Sequence, residues 1–400
     1  MTSKCPMHGL PMPMSDPSFY DDPFASYDKL REEAPIHRMC YPDGTPVWVV
    51  TSFADVHKGM WDPMLVRPVE AAGPDFAMRR FPEGAKTGTL ATLDPPDHTR
   101  LRKFVNWAFV PKRVETMRPK VEAVVDGLLD AIERRGEADL VADLASPLPL
   151  AVVGDVLGVP EALRSKVHEW SNKAFDGDDD TNIETNKIMI GAFRKLVDVK
   201  RAEPGDDLIT YWTTATDDAG VALTDWEICA MAVFVVTAGY ETTSSMITQC
   251  AKFLLERPDV AATLRAAPER VPEALEEMMR ATTSVHHSFR RFAKEDMVIA
   301  GQQVAKGDCV LLHVAAAHRD SAHFPHGTEF DLDRPDKKHL TFGRGVHYCP
   351  GAELARLELV AALRGLVTRF PAMKLAVPVE ELTRRHNPWI PAIRGLPVVV

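Results

Sequence analysis

Cysteine is scarce in this chain, and no two cysteines stand in close spacing. The six residues, none of them in a CxxC pair, are scattered along 400 positions: Cys5, Cys40, Cys229, Cys250, Cys309 and Cys349. Paired spacing is the usual mark of structural zinc ribbons and of small disulfide-linked domains. The sequence therefore argues against both.

Positive charge and long apolar runs are also scarce. Lysine and arginine number 47 against 57 aspartates and glutamates, and the net charge of -10 disfavours a nucleic-acid surface. The first 17 residues carry no apolar stretch, so neither a signal peptide nor a membrane anchor is predicted. We expect a cytoplasmic protein in which residues 1–18 form a flexible tail.

The remaining composition is that of an ordinary globular protein, with 45% hydrophobic and 26% charged residues. Strand patterns lie near the two ends, at Pro46–Ser52, Met297–Leu312 and 396–400, and helical periodicity fills the middle, as in 119–135. The sequence shows no internal repeat. These patterns predict a mainly α fold with a small β region, built as a single domain over residues 1–400.

One predicted helix is exceptionally long. Thr224 and Glu227 have the spacing of a capping box, and the pattern continues for about 30 residues until Pro258 stops it. Its apolar part is too short to cross a bilayer, so a core helix is expected. The AGYETT segment (238–243) places a glycine, an acid and two threonines inside it. By itself this segment indicates a kink or a solvated face.

The segment 342–359, FGRGVHYCPGAELARLEL, is a glycine-rich loop that leads into a helix. Cys349 stands just before the predicted start of that helix, near Gly351. A helix N-terminus stabilises a thiolate, so the loop is suited to holding a deprotonated sulfur. A lone cysteine on such a turn would more often be structural.

Two weaker patterns accompany these segments. Glu277 and Arg280, three residues apart, fall on one helix face, where an exposed ion pair is the ordinary interpretation. His98 and Arg102, four residues apart, also share a helix face, and alone they indicate a surface cluster.

Together the four segments resemble the cytochrome P450 family, in its soluble bacterial type. The loop matches the family pattern F-G-x-G-x-H-x-C-x-G, and 238–242 resembles A-G-x-[D/E]-T. Glu277 and Arg280 match E-x-x-R, and 316–334 resembles a further family stretch, with His318 and Ser321 as departures. The resemblance covers about residues 20 to 400 in order. Six positions match in the loop: Phe342, Gly343, Gly345, His347, Cys349 and Gly351.

The resemblance implies the cytochrome P450 fold, with haem b between the long central helix and the helix after the cysteine loop, and iron bound by the Cys349 thiolate. Ala238 and Gly239 would let the long helix pass over the haem. Glu241 and Thr242 would position water and deliver protons for the activation of the co-substrate O2. Glu277 and Arg280 would be structural. The haem propionates would be held by His98, Arg102, His347 and Arg291, with Arg290 as an adjacent competitor for the last place.

The implied activity is that of a monooxygenase acting on a small organic molecule, such as a secondary metabolite. No flavin or nicotinamide domain fits in this length, so electrons would come from a separate ferredoxin, with its reductase, or a flavodoxin. A basic patch could dock that partner, although ordinary solvated charge is an equal alternative. The patch would comprise Arg100, Lys103, Lys112, Arg113 and Arg344.

The resemblance also implies a substrate pocket and leaves two other functions open. Oxidative coupling or desaturation without net oxygen insertion is the first alternative, and a non-enzymatic haem sensor is the last. The expected state is a monomer that binds neither nucleic acid nor membrane. The predicted pocket residues are Val235, Val285, His286, His287, Phe289 and Trp389.

Overall fold

A computed structural model describes residues 10–41, 44–76, 89–176, 179–387 and 389–400. The fold is mainly helical with short strands, as predicted. The strands are β1 (Leu10–Pro11), β2 (Ile36–Cys40), β3 (Pro46–Val50), β4 (Leu65–Val66), β5 (Glu137–Asp139), β6 (Arg291–Ala293), β7 (Met297–Ile299), β8 (Gln302–Val304), β9 (Cys309–Leu312), β10 (Lys374–Leu375) and β11 (Pro397–Val399). The helices are α1 (Pro23–Glu33), α2 (Phe53–Trp61), α3 (Asp97–Phe109), α4 (Pro111–Arg135), α5 (Pro147–Leu157), α6 (Glu161–Asp176), α7 (Asp179–Ala202), α8 (Leu208–Thr214), α9 (Asp225–Glu256), α10 (Pro258–Ala266), α11 (Val271–Thr282), α12 (Val314–Ala317) and α13 (Ala352–Arg369).

The chain divides into two compact units, each assembled from separate segments. The first unit comprises residues 1–97, 276–349 and 388–391, and the second comprises 98–275, 350–387 and 392–400. The single-domain assignment made from the sequence stays a prediction.

The first unit is built on a six-stranded sheet in the order β1-β2-β3-β9-β6-β4. Its central strands, β3 and β9, run parallel and pair Val50 with Leu312 and Val49 with Leu311. Val50 and Leu312 belong to one buried cluster, whereas Val49 and Leu311 belong to another. Successive side chains of a strand point to opposite faces, so the two faces of this sheet are both buried. This explains the nearly continuous apolar runs PVWVV and CVLL.

The predicted flexible tail is wrong for residues 10–18. Leu10 pairs with Met39 in the sheet, and the Met12 amide donates to the Cys40 carbonyl at 3.0 Å. Met12 and Met14 are buried, because flexible methionine side chains fill the irregular core beside the sheet. Residues 1–9 lie outside the described part of the chain.

The expectation from cysteine spacing also needs one correction. Of the cysteines that the structure describes, Cys40 is disulfide-bonded, whereas Cys229, Cys250, Cys309 and Cys349 form no disulfide.

The second unit is organised around α9, which spans 32 residues and packs against α5, α7 and α13. Its predicted capping box is confirmed: the Thr224 side chain accepts from the Glu227 amide, and Glu227 accepts from the Thr224 amide at 2.7 Å. A three-stranded sheet in the order β10-β11-β5 completes this unit. The helix predicted from residue 119 begins earlier, at Pro111, and includes Pro119 in its interior.

Within the described ranges, no single helix combines the length and apolar character needed to cross a membrane. One bent pair, Val141–Leu157 with Glu161–Asp176, meets those criteria jointly.

Candidate active site

The cysteine loop is closed by backbone hydrogen bonds. The Cys349 amide donates to the Phe342 carbonyl at 2.9 Å, and the Gly343 amide donates to the Leu340 carbonyl at 2.8 Å. Gly343 and Gly345 have φ angles of 69° and 72°, in the left-handed region that favours glycine. This backbone geometry explains why glycine stands at these two positions of the motif.

Two further features of the loop bear on Cys349. A Cβ atom on Gly345 would lie 3.1 Å from the Met60 carbonyl oxygen, so the loop approaches α2 closely there. Gly351 is the N-cap of α13, which begins three residues after Cys349. The sulfur therefore precedes the positive end of an 18-residue helix, as predicted.

His347, two residues before the cysteine, belongs to a buried polar cluster of the first unit. Its Nε2 atom lies 2.9 Å from Asp94 Oδ1, and the Arg67 amide donates to Asp94 Oδ2 at 2.7 Å. Burial lowers the pKa of His347 to about 4, so the ring is neutral near pH 7. The hydrogen bonds from His347 and Arg67 hold the pKa of Asp94 below its usual value, against the effect of its burial.

Two cations lie beside this cluster: Arg291 is buried, and Arg67 is half-buried. Burial lowers the pKa of Arg67 to about 9 and of Arg291 to about 10, although Asp94 lies near both and Asp62 near Arg291. The Nε atoms of both guanidiniums are buried without a hydrogen-bond partner among the described residues. Each guanidinium donates through Nη1 to a backbone carbonyl, and a guanidinium with an unpaired buried Nε–H is suited to a carboxylate ligand. The cluster thus fits the propionates of the predicted haem.

Arg290 and Arg291 have different surroundings, which favour the prediction of Arg291 as the propionate ligand. Arg291 is 3% exposed and donates to the Leu65 carbonyl at 3.0 Å beside the cluster. The Arg290 guanidinium instead lies over the Tyr41 ring, 4.9 Å from its centroid, and donates to the Tyr41 hydroxyl. Arg290 directly precedes β6, whereas Arg291 is its first residue.

Sequence reasoning missed Arg67 and the role of Asp94. Arg67 directly follows the two-residue strand β4, and nothing in its neighbourhood forms a recognisable motif. Its partner Asp94 lies 27 positions away. Only the fold brings them together.

The predicted structural pair is present and fully buried. Arg280 donates to both carboxylate oxygens of Glu277, and neither side chain is exposed. Arg280 also donates to the carbonyls of His318, Gly327 and Glu329 at 2.6–2.7 Å. Arg334 donates to Glu277 at 2.9 Å. The pair thereby ties α11 to the segment that precedes the cysteine loop.

In the second unit, the centre of α9 presents one less buried stripe. Phe234, Ala238 and Thr242, at i, i+4 and i+8, are half-buried within a helix whose core positions are buried. The Thr242 hydroxyl donates to the Ala238 carbonyl at 2.7 Å, so toward any further group its oxygen acts as an acceptor. Gly239 has a packing role: a Cβ atom there would lie 3.2 Å from Val153 of α5. Its predicted haem contact stays a prediction.

Glu241 is buried and forms an ion pair with Arg385, a residue that sequence reasoning missed. Burial raises the pKa of Glu241, and Arg385 opposes that effect. Arg385 stands in the segment TRRHNPW near the C-terminus, where neither periodicity nor a motif marks it.

The other predicted propionate ligands lie on α3. His98 is 2% exposed, whereas Arg102 is half-buried and donates to Asn106 Oδ1 at 2.7 Å. Their predicted role stays a prediction.

Three predicted pocket residues meet in the first unit. The Trp389 indole donates to the His287 carbonyl at 3.0 Å, and the rings of Phe289 and Trp389 lie 4.7 Å apart. His287 Nδ1 lies 2.9 Å from the Ser288 carbonyl, and burial lowers the pKa of His287 to about 4. Its Nδ1 therefore carries the proton, and Nε2 is an acceptor.

His286 contacts residues of α1, and its predicted pocket role stays a prediction. Its Nδ1 atom lies 2.9 Å from the Tyr27 hydroxyl, in contact with the aromatic cluster of α1. His287 lies at a bend, and its ring makes different contacts from that of His286. Val235 is buried and Val285 is half-buried, and neither placement tests a pocket role.

The predicted basic docking patch is largely neutralised. Arg100 pairs with Asp217 at 2.7 Å and also with Glu227, and Lys103 pairs with Asp218. Arg113 stacks on the Trp107 ring at 3.5 Å. These three cations therefore form ion pairs or a cation–π contact within the second unit.

Comparison with known proteins agrees with this site. A family model described as Cytochrome P450 matches residues 186–374. The chain is 37% identical to cytochrome P450 monooxygenase PikC of Streptomyces venezuelae, over 95% of this chain and 91% of that protein.

Solved structures give the same family. The polyketide synthase cytochrome P450 PksS of Bacillus subtilis 168 matches with a TM-score of 0.89 and 30% identity, covering 97% of this chain and 98% of that one. CxnD, a cytochrome P450 described as forming a C–S bond in chuangxinmycin biosynthesis, matches with a TM-score of 0.87 and 31% identity, covering 98% and 97%. The chain therefore belongs to the cytochrome P450 family, and it is a haem b–thiolate monooxygenase that uses O2 to oxidise a small organic molecule.

Proposed function

We propose that this monooxygenase binds its haem iron through Cys349 and tailors a secondary metabolite with electrons from a ferredoxin. The observation that carries the haem assignment is the pair of cations, Arg67 and Arg291, whose buried Nε atoms have no partner among the described residues, beside His347 in the loop that contains Cys349. When held by the Cys349 thiolate, haem iron would supply the chemistry of oxygen activation. The protein's own residues bind the haem, orient the substrate and deliver protons.

In this proposal Arg67, Arg291 and His347 bind the propionates by charge-assisted or ordinary hydrogen bonds. His98 and Arg102 of α3 complete the set. Arg67 joins the residues proposed from the sequence because its buried Nε has no partner among the described residues.

Glu241 and Thr242 are the proposed proton-delivery pair. Because the Thr242 hydroxyl donates to Ala238, its oxygen can accept a hydrogen bond and hold a proton-donating water. Glu241 is a buried acid on the same turn of α9, where it can exchange a proton with such a water.

The electron donor is proposed to dock at the cysteine loop of the first unit. Trp61, Val346 and Tyr348 are exposed by 59%, 56% and 39%, and the Trp61 ring lies 3.5 Å from where a Gly345 Cβ would stand. An exposed aromatic and apolar patch beside Arg344 suits a small acidic redox protein. Trp61→Ala should raise the KM for a plant-type ferredoxin, and Trp226→Ala, which alters another exposed tryptophan, should not. Equal KM values for both variants would contradict this docking site.

We also propose that the protein is a cytoplasmic monomer.

The substrate class is proposed from the relatives and from the His287 region. PikC is a monooxygenase, and PksS belongs to a polyketide synthase system. The neutral His287 ring, beside Phe289 and Trp389, would accept a hydrogen bond from a hydroxyl or N–H group of a largely apolar substrate.

Coupling without oxygen insertion is the second candidate, because the similar CxnD forms a C–S bond. Labelled O2 separates the two outcomes once a screen for spin-state change has found a substrate. One labelled oxygen atom in the product, detected by mass spectrometry, is expected. A product that contains no label and has lost hydrogen would contradict monooxygenation.

A further inference from the structure

Glu241 is held by an arginine from a distant part of the chain. Arg385 Nη1 donates to Glu241 Oε1, across a separation of 144 residues. Glu241 is 4% exposed and Arg385 is 9% exposed. Backbone hydrogen bonding fixes the position of Arg385, because its amide donates to the Ala392 carbonyl at 2.7 Å. The preceding residue, Arg384, forms an isolated antiparallel β-bridge with Ile393.

The same guanidinium serves a second carboxylate. Arg385 Nε lies 2.5 Å from Asp176 Oδ1, and Asp176 Oδ2 lies 2.9 Å from Arg394 Nη1. Asp176 is the last residue of α6, and the Arg394 side chain is 48% exposed. Four charges of alternating sign therefore run from a buried acid on α9 to the protein surface.

We propose that Arg385 is the positioning residue for Glu241, and that Asp176 sets how strongly Arg385 holds it. The functional part of this inference rests on the proposed role of Glu241 in proton delivery. Arg385 fixes the place of the carboxylate and stabilises its ionised form. Asp176 competes for the same guanidinium, so the end of α6 is electrostatically linked to the acid of α9.

The charges around Glu241 determine whether each neighbouring group raises or lowers its pKa. The groups that face it are Arg385 and Arg394, which favour the carboxylate, and Asp176, which disfavours it. Tyr240, its neighbour on α9, also interacts with it electrostatically. Burial raises the pKa of Glu241, and interactions in such a site are weakly screened by solvent. Removing Arg385 should thus favour protonated Glu241, whereas neutralising Asp176 should favour the carboxylate.

The opposite signs make a sharp test. The titration of the Glu241 carboxyl can be followed by infrared difference spectroscopy of substrate-free holoenzyme, with Glu241→Gln identifying its band. We expect Arg385→Gln to move the titration to higher pH and Asp176→Asn to move it to lower pH. Arg385→Lys should stay near the wild type, and Arg384→Gln is the matched control at the adjacent arginine.

A structural role for Arg385 would not produce shifts of opposite sign. The proposal is overturned if Arg385→Gln and Asp176→Asn leave the titration unchanged or move it in the same direction. If Arg385→Gln does not fold, the Asp176→Asn titration decides alone: a move to lower pH supports the proposal, and an unchanged curve overturns it.

Peroxide release tests the functional part separately. Reduced nicotinamide, a plant-type ferredoxin and its reductase serve as the electron source, and peroxide formed per nicotinamide oxidised is measured against pH. Arg385→Gln should change this ratio roughly tenfold at neutral pH, a part of what general acid–base catalysis contributes. Glu241→Gln should abolish the pH dependence of this ratio. The double variant, Glu241→Gln with Arg385→Gln, should behave like Glu241→Gln alone. A Glu241→Gln profile equal to the wild type would remove Glu241 from proton delivery, while the infrared shifts would still report its link to Arg385.

Discussion

Arg280 donates to both carboxylate oxygens of Glu277, at 2.8 and 2.7 Å, and neither side chain is exposed to solvent. Three backbone carbonyls, Arg334 and the Asp331 amide also form hydrogen bonds with this pair. A buried ion pair is costly to break because the remaining charge stays buried and unpaired.

We expect Glu277→Gln to reduce the free energy of unfolding by about 3–5 kcal/mol, measured by urea denaturation of the holoenzyme. Glu115→Gln is the matched control, since Glu115 forms the same two-contact pair with Arg118 at the same spacing on an exposed surface. That control should show no measurable change. Equal effects of the two substitutions would contradict a buried structural role.

The rate of haem loss should show which of Arg291 and Arg290 contributes to haem binding. Arg291→Gln and Arg67→Gln each remove a cation from beside His347, and hydrogen bonds to charged groups contribute about 1.5–3 kcal/mol. We expect haem transfer to apomyoglobin to become roughly tenfold faster or more in both variants. Arg290→Gln, at the residue that lies over Tyr41, should transfer haem at the wild-type rate. The reverse order would shift the assignment to Arg290.

The hydroxyl of Thr242 should control the fate of activated oxygen. Thr242→Ala should increase peroxide release and reduce product formation by roughly 10²-fold, since it removes the proposed acceptor for a proton-donating water. Thr248→Ala is the matched control because Thr248 makes the same hydroxyl-to-carbonyl bond on α9, to Ser244. An unchanged ratio of peroxide to product in Thr242→Ala would exclude the residue from proton delivery.

The protein should lose stability in acid through its buried histidines. Burial lowers the pKa of His286 to about 3, whereas an unfolded histidine titrates near 6.5. Below pH 6.5 the unfolded state therefore binds the proton first, and stability falls until about pH 3 by up to about 1.4 kcal/mol per pH unit. His286→Asn keeps an acceptor for the Tyr27 hydroxyl but does not titrate. Its urea midpoint should fall less between pH 7 and 4.5 than that of the wild type; an equal fall would contradict this origin.

Much of this fold could be predicted because local patterns and the family motifs agree. The capping box and Pro258 bounded α9 correctly, and the glycine pattern around Cys349 corresponds to left-handed turns. The buried pair Glu277–Arg280 also follows from a motif.

The missed features depend on contacts between distant segments. Arg67 meets Asp94 across 27 residues, and Arg385 meets Glu241 across 144, and no local pattern encodes either pair. Met12 and Met14 were assigned to a tail because two methionines among prolines have no periodicity, yet they pack beside the sheet. The contact between His286 and Tyr27 likewise joins residues 259 positions apart.

The identity of the iron ligand is tested most directly by the spectrum of the reduced carbonyl complex. Cys349→Ser should lose the thiolate-type absorption band. Cys229→Ser should keep it, because Cys229 is a buried α9 thiol whose pKa burial raises to about 11. A thiolate-type band that survives in Cys349→Ser would contradict the account.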